Sequence, residues 1–252
     1  MPNSSVYIGK LDLIREENIF KATLCCCFFS CKTDYGEIIS HLHTQERNYY
    51  NTLKFEKRIR SYLIGRFVAK QAIAALTGED KLTQIVIQSG VFTQPIVISN
   101  KQNIQVSITH CEDYGAALAF PEAHPMGIDL EKIDSSQNGV LAGQFTEFET
   151  TRIIPLVTPY ETGLTLLWTA KEALSKVLKT GLMTPFEVFE ISRIDLCNNF
   201  TMCYYKNFAQ YKAISFTIGN YMCSIVYPIK TELYVDIQSL RDYYANVAKN
   251  AI

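Results

Sequence analysis

No two cysteines in this 252-residue chain stand in C-x-x-C spacing, although there are 8 of them. Paired zinc-type ligand spacing is therefore missing. Net positive charge is missing too: 24 Lys and Arg face 25 Asp and Glu, which leaves −1. That excludes binding to nucleic acid through a global positive field and leaves room only for a local basic patch. No apolar run approaches a membrane span, and the opening MPNSSVYIGKLDLIREEN has no basic stretch followed by an apolar one. Neither a membrane partner nor an export leader is expected. Unpaired thiols without a leader point to the reducing cytoplasm. Charged residues make up only 19% and hydrophobic residues 48%, so disorder is excluded and the chain can fill one sizeable core or two modest ones.

The cysteines are Cys25, Cys26, Cys27, Cys31, Cys111, Cys197, Cys203 and Cys223. The run in KATLCCCFFSC reads as a buried strand that uses Cys as a small hydrophobe. Adjacent strand residues face opposite ways, so these thiols do not converge on one nucleophilic site.

Apolar spacing and turn residues predict strands at 20–31, 83–88, 95–99, 104–110, 114–120 and through MGIDLEKID. Further strands are expected at 186–195, 200–205, 213–218 and 221–226. Helices are expected at 44–76, at 140–157, at 163–179 and in the tail at SLRDYYANVAK, with Gly78 ending the first. The chain also echoes itself. Phe67-Val-Ala-Lys70-Gln71-Ala72-Ile73 is similar to Trp168-Thr-Ala-Lys171-Glu172-Ala173-Leu174, and each leads to a Gly turn and then strands. This suggests an internal duplication in which Glu172 stands where the first copy has the neutral Gln71.

Two acids, Asp129 and Glu131, share one face of the GIDLE strand, with Ile128 and Leu130 on the other. Like charges so placed are either solvated at an exposed strand end or bridged by a cation, and Mg²⁺ uses a few carboxylates with phosphate oxygens and water. On the 163–179 helix, Trp168, Glu172, Lys176 and Lys179 form one stripe, and Leu167, Ala170, Leu174, Val177 and Leu178 the core stripe. Glu172 and Lys176 are either a surface i,i+4 pair or an acid for a metal and a lysine for a phosphate.

G-I-D-x-E followed by W-T-A-K-E-A-x-x-K resembles the two signature motifs of the 4'-phosphopantetheinyl transferase superfamily. The two similar halves resemble its long, surfactin-type branch. The resemblance implies a fold of α+β class: two similar α/β subdomains related by a pseudo-two-fold, each an antiparallel sheet on a long helix. The implied divisions are 1–122 for nucleotide contact, 123–230 for the metal and catalysis, and a tail at 231–252. It implies transfer of the phosphopantetheine arm of coenzyme A to a serine of an acyl or peptidyl carrier protein, releasing 3',5'-ADP. A monomer would suffice.

By position, the resemblance makes Asp129, Glu131 and Glu172 ligands of Mg²⁺, and places Lys176 on the transferring phosphate. Glu149, in the F-x-x-x-E pattern, is a candidate to position or deprotonate the serine, or else a solvated helix acid. Thr109 and His110 stand at the family's S-H pair, which meets the coenzyme A 3'-phosphate. Arg60, Arg66 and Lys70 lie on the first-half helix near the nucleotide phosphates, or form a solvated face. Phe145 and Phe148, with Lys171 and Lys179, are candidates to meet the carrier, or the aromatics pack in the core, with one of the two expected to turn inward. The chain departs from the family at Thr93-Gln94-Pro95, where a G-K-P turn is common. Two other readings are a catalytically silent module that binds coenzyme A or a carrier, and a magnesium-dependent nucleotide phosphohydrolase.

Overall fold

The computed structural model describes residues 6–29, 35–98 and 103–250; Cys31 and the expected strand end at residue 99 lie outside them. In chain order the elements are β1 (Val6–Arg15), β2 (Asn18–Phe28), α1 (Tyr35–Ser40), α2 (Thr44–Tyr50), α3 (Glu56–Thr77), β3 (Val86–Ser89), β4 (Pro95–Ile98), β5 (Ile104–Cys111) and β6 (Tyr114–Pro121). They continue with β7 (Gly127–Lys132), α4 (Asn138–Ala142), α5 (Tyr160–Leu178), β8 (Ile191–Leu196), β9 (Thr201–Tyr205), β10 (Tyr211–Ile218), β11 (Tyr221–Pro228), β12 (Glu232–Leu233) and α6 (Ile237–Asn250). All strand pairs are antiparallel. Among the described residues no helix is long and apolar enough to cross a membrane.

The chain divides into two compact units, residues 1–125 with 232–252, and residues 126–231. In the second, one sheet runs β7-β11-β10-β9-β8. Its core gathers Leu164, Leu167, Ala170 and Leu174 of α5 with Ile191, Cys203, Met222 and Val226 of the sheet. Each fully buried aliphatic side chain of this kind contributes about 1.5–3 kcal/mol over its exposed state. In the first unit the sheet runs β12-β1-β2-β6-β5, and β3 and β4 form a separate pair. There α3 supplies Leu63, Ile64, Phe67, Val68, Ala72 and Ile73, which pack on Cys25, Cys27, Ala117 and Ala119. The thiols of the CCC run thus serve as small core side chains, and burial pushes Cys26 up to about 12.

The two units repeat one order of elements: strand, long helix, then four strands. The β5–β6 hairpin turns through Glu112 and Asp113, and the β10–β11 hairpin through Gly219 and Asn220. The first residue of each turn has positive φ, 50° at Glu112 and 57° at Gly219. The long helices also end alike, on a left-handed residue, Gly78 for α3 and Lys179 for α5. Aligning the turns and the ladders matches Ala117 with Ser224, and hence Cys25 with Asp129 and Cys27 with Glu131.

Several expected elements are built differently. Residues 44–76 are two helices, because α2 ends at Asn51 and α3 begins anew after Phe55, whose backbone is extended. Residues 140–157 are not one helix. After Gly143 the chain restarts at Thr146, passes a single π-helical turn at Glu149–Ile153, and Pro155 has no N–H to continue it. The expected strand at 186–195 opens instead with a 3₁₀ turn at Phe186–Phe189. Strand β1 was not expected; its hairpin to β2 turns on Glu16 with φ 54°, without a Gly or Asn to signal it.

Candidate active site in the second unit

Gly127 brings helix and strand together. A Cβ built there would lie 2.1 Å from the Ala173 carbonyl oxygen, so any side chain would drive α5 off the sheet. Two residues on, and therefore on the same face, Asp129 meets the next turn of α5. The Lys176 Nζ donates to Asp129 Oδ1 at 2.7 Å and to the Ile128 carbonyl at 2.9 Å. Asp129 is only 4% exposed. Glu172 is one turn before Lys176 and half-buried. Burial first, and then the negative charge of Asp129, lift its carboxyl from an ordinary 4.5 to about 7, against the opposing pull of Lys176 and Ser175. Two acids that repel each other beside one lysine form a compact site for a cation and an anionic ligand.

The expected set of three metal-binding acids is not drawn together. Among the described residues no group of three or more His, Cys, Asp or Glu side chains could hold a metal ion. The charge of Asp129 acts on Glu172, and Glu131 stands half-buried near the strand end. Two hard oxygen donors fit Mg²⁺, which is commonly held by one or two carboxylates and completed by substrate phosphates and water.

Glu149 belongs to neither of the expected alternatives, the solvated acid or the group open to a serine. It is fully buried, and its Oε2 accepts from Lys171 Nζ at 2.6 Å and from the Thr146 N–H at 3.0 Å. Its Oε1 accepts from the Ile191 N–H at 2.8 Å. Lys171 also donates to the Phe186 carbonyl at 3.1 Å and lies against the Phe145 ring. Lys171 is thus closed off from any carrier. Desolvation holds its ammonium below the usual lysine range, and the Glu149 charge opposes that shift.

The first unit repeats this arrangement. Lys70 Nζ is 2.7 Å from Glu46 Oε2 and donates to the carbonyls of Leu82 and Ile85. Glu46 accepts from the His43 N–H and, at the start of β3, from the Ile87 N–H. Lys70, 1% exposed, is therefore unavailable to a nucleotide phosphate. Arg66 sits between the Tyr62 ring and Glu46. The sequence signals only the capping part of this arrangement, in T-E-F-E and H-T-Q-E, where an acid stands three residues after the cap; it does not signal the buried lysine.

Of the other residues expected to meet nucleotide, Arg60 and His110 line one cleft of about 740 Å³ with Phe55, Lys57, Arg58, Ser61 and Glu112. Ser61 Oγ is 2.7 Å from His110 Nε2, and Arg60 pairs with Asp113. Thr109, the neighbour of His110 on β5, is buried on the opposite face of the strand and does not line this cleft. At the departure from G-K-P, the Gln94 side chain closes its own turn by accepting from the Phe92 N–H at 2.9 Å.

Residues 125–226 match the family model described as the 4'-phosphopantetheinyl transferase superfamily. Among solved structures, one similar to this chain is the holo-[acyl-carrier-protein] synthase of Thermotoga maritima. It is 17% identical, the match covers 58% of this chain and 76% of that one, and the TM-score is 0.30. No curated protein matches the chain. The segment that holds Asp129, Glu172 and Lys176 is the part of the chain that is similar to the 4'-phosphopantetheinyl transferase superfamily.

Proposed function

We propose that this protein transfers the 4'-phosphopantetheine arm of coenzyme A to a serine of an acyl or peptidyl carrier protein and releases 3',5'-ADP, as a member of the surfactin-type branch. The observation that carries this reading is the contact of Asp129 with Lys176 beside a Glu172 whose carboxyl is lifted to about 7, inside the segment that matches the family. Asp129 and Glu172 would hold Mg²⁺, with Glu131 at the edge of the site. A Mg²⁺ held there would supply positive charge against the pyrophosphate. Lys176 places an ammonium at the transferring phosphate, and Asp129 fixes its direction. The serine oxygen bonds to the β-phosphorus as the bond to the departing 3',5'-ADP oxygen breaks, so positioning and charge do most of the work. With Glu149 enclosed, the serine proton would pass to a water at the site rather than to that carboxylate. The cleft at His110 and Arg60 fits the anionic nucleotide end of coenzyme A.

The test is to mix the protein with Mg²⁺, coenzyme A and an apo carrier, then weigh the carrier. A gain of the phosphopantetheine mass is expected. Nucleotide breakdown without modified carrier would mark a hydrolase, and binding without either product a silent module; both would overturn the proposal.

A further inference from the structure

Behind Asp129 a linear chain of hydroxyls runs through the interior of the second unit. Thr169 Oγ1 is 2.7 Å from Ser224 Oγ, and Ser224 Oγ is 2.7 Å from Ser215 Oγ. Cys203 Sγ lies 3.9 Å from Ser215 Oγ. All four are 1% exposed or less. The Thr169 hydroxyl is also within bonding distance of the Thr165 and Leu166 carbonyls, 3.0 and 3.1 Å, so one helix and three strands are tied by consecutive hydrogen bonds. In the ladder, Ser224 is the direct partner of Asp129. On α5, Thr169 is three residues before Glu172, hence its neighbour along the helix surface.

The first unit provides an internal comparison. The turn and ladder alignment puts Val68 where the second unit has Thr169, Ala117 where it has Ser224, and Ile108 where it has Ser215. Val68 and Ala117 are fully buried in the apolar core, and Ile108 packs on it. The same positions in that unit carry Cys25, Cys27, Gln71 and, for Lys176, Ala75 in place of the acids and lysine. One architecture is thus filled with hydrocarbon where no charged site stands above it, and with hydroxyls where one does. Apolar groups of like shape hold such a helix on such a sheet as well or better, since buried hydroxyls gain little net stability from bonds they could have made to water. Stability alone therefore does not account for the hydroxyls.

We infer that Thr169, Ser224 and Ser215 are positioning residues that lock α5 to β11 and so hold Glu172 and Asp129 toward one divalent cation. The inference rests on the proposed function. Hydrogen bonds fix a direction between the elements they join, and a site whose acids come from two elements depends on such orienting contacts.

The test uses the full chain and Mn²⁺ alone, followed by paramagnetic resonance, without coenzyme A or carrier. Thr169→Val/Ser224→Ala/Ser215→Ala is expected to keep the wild-type thermal midpoint while Mn²⁺ binds about tenfold or more weakly. Thr169→Ser, which keeps the hydroxyl, is expected to bind as wild type does. Ser224→Ala alone carries the same comparison should the triple variant not fold. A folded variant that binds Mn²⁺ within about twofold of wild type overturns the inference, because outer-sphere positioning contacts are worth more than that. A wild-type protein that transfers phosphopantetheine normally, with variants that bind as it does, leaves the function standing and this inference overturned; a wild-type protein that binds no Mn²⁺ overturns both.

Discussion

Lys171 and Glu149 meet at 2.6 Å with neither side chain exposed. Lys70 and Glu46 do the same in the other unit. Each pair ties a capping-box acid, a long helix and the start of a strand. A buried pair is costly to split, because the survivor is left charged and desolvated. We predict that Lys171→Met destabilises the protein by about 3–5 kcal/mol, and that Lys171→Met/Glu149→Leu recovers most of it. Urea unfolding of both variants checks this. Equal losses in the single and double variants would show that the pair is not the staple.

Glu172 should leave a signature in stability against pH. Its folded carboxyl is raised from 4.5 to about 7, so the native state holds a proton that the unfolded chain has released. Its contribution is fully present below the unfolded value and is lost as pH rises through about 7. In excess chelator, stability should therefore fall across that window, and Glu172→Gln should flatten this part of the profile. Excess Mg²⁺ should raise wild-type stability at the upper end, since it binds the folded form. Urea midpoints measured through the window decide the matter; an identical slope in Glu172→Gln would sink it.

Lys176 bears on rate more than on fold. Its ammonium is bonded to Asp129, and the side chain is partly exposed. Lys176→Ala is expected to lower kcat by about 10²–10³ with little change in the carrier KM, as for the loss of a single group that stabilises transition-state charge. Steady-state rates with varied carrier test this. A normal kcat would remove Lys176 from the chemistry.

Phe145 and Phe148 were expected to share a face and be candidates to meet the carrier. They part company. Phe145 is partly buried against the core and lies 5.0 Å from Lys171 Nζ, whereas Phe148 is 42% exposed. Of the two lysines expected beside them, only Lys179 reaches solvent. Phe145→Ala should cost on the order of 3 kcal/mol in stability. Phe148→Ala should keep the thermal midpoint and raise the KM for the carrier while coenzyme A binding stays as it was. An unchanged KM would place carrier docking elsewhere.

What could be read in the sequence was what depends on local spacing. Period two put Asp129 and Glu131 on one face of their strand, and the echo of FVAKQA in WTAKEA marked two helices that end in the same way. The strands with turn residues at both ends were legible within a few residues. What could not be read depends on distance through space. Glu149 and Glu46 reveal their burial only through lysines far along the chain, so each looks like an ordinary acid near a helix start. Lys70 and Lys171 look like surface cations for the same reason. The hydroxyls at 169, 215 and 224 are scattered over three elements, and only the sheet register joins them.

The pairing of β1 with β12 has a further consequence for how the polypeptide becomes a protein. Leu13 and Ile14 pair with Leu233 and Glu232, and the Phe28 N–H donates to the Tyr243 hydroxyl of α6. The first unit therefore takes its edge strand and last helix from residues made after the whole of the second. During synthesis residues 126–231 can complete their own sheet first, although they are the later domain in the chain. The unit begun first is completed only when residues 232–250 are available, whereas residues 126–231 carry all the strands of their own sheet.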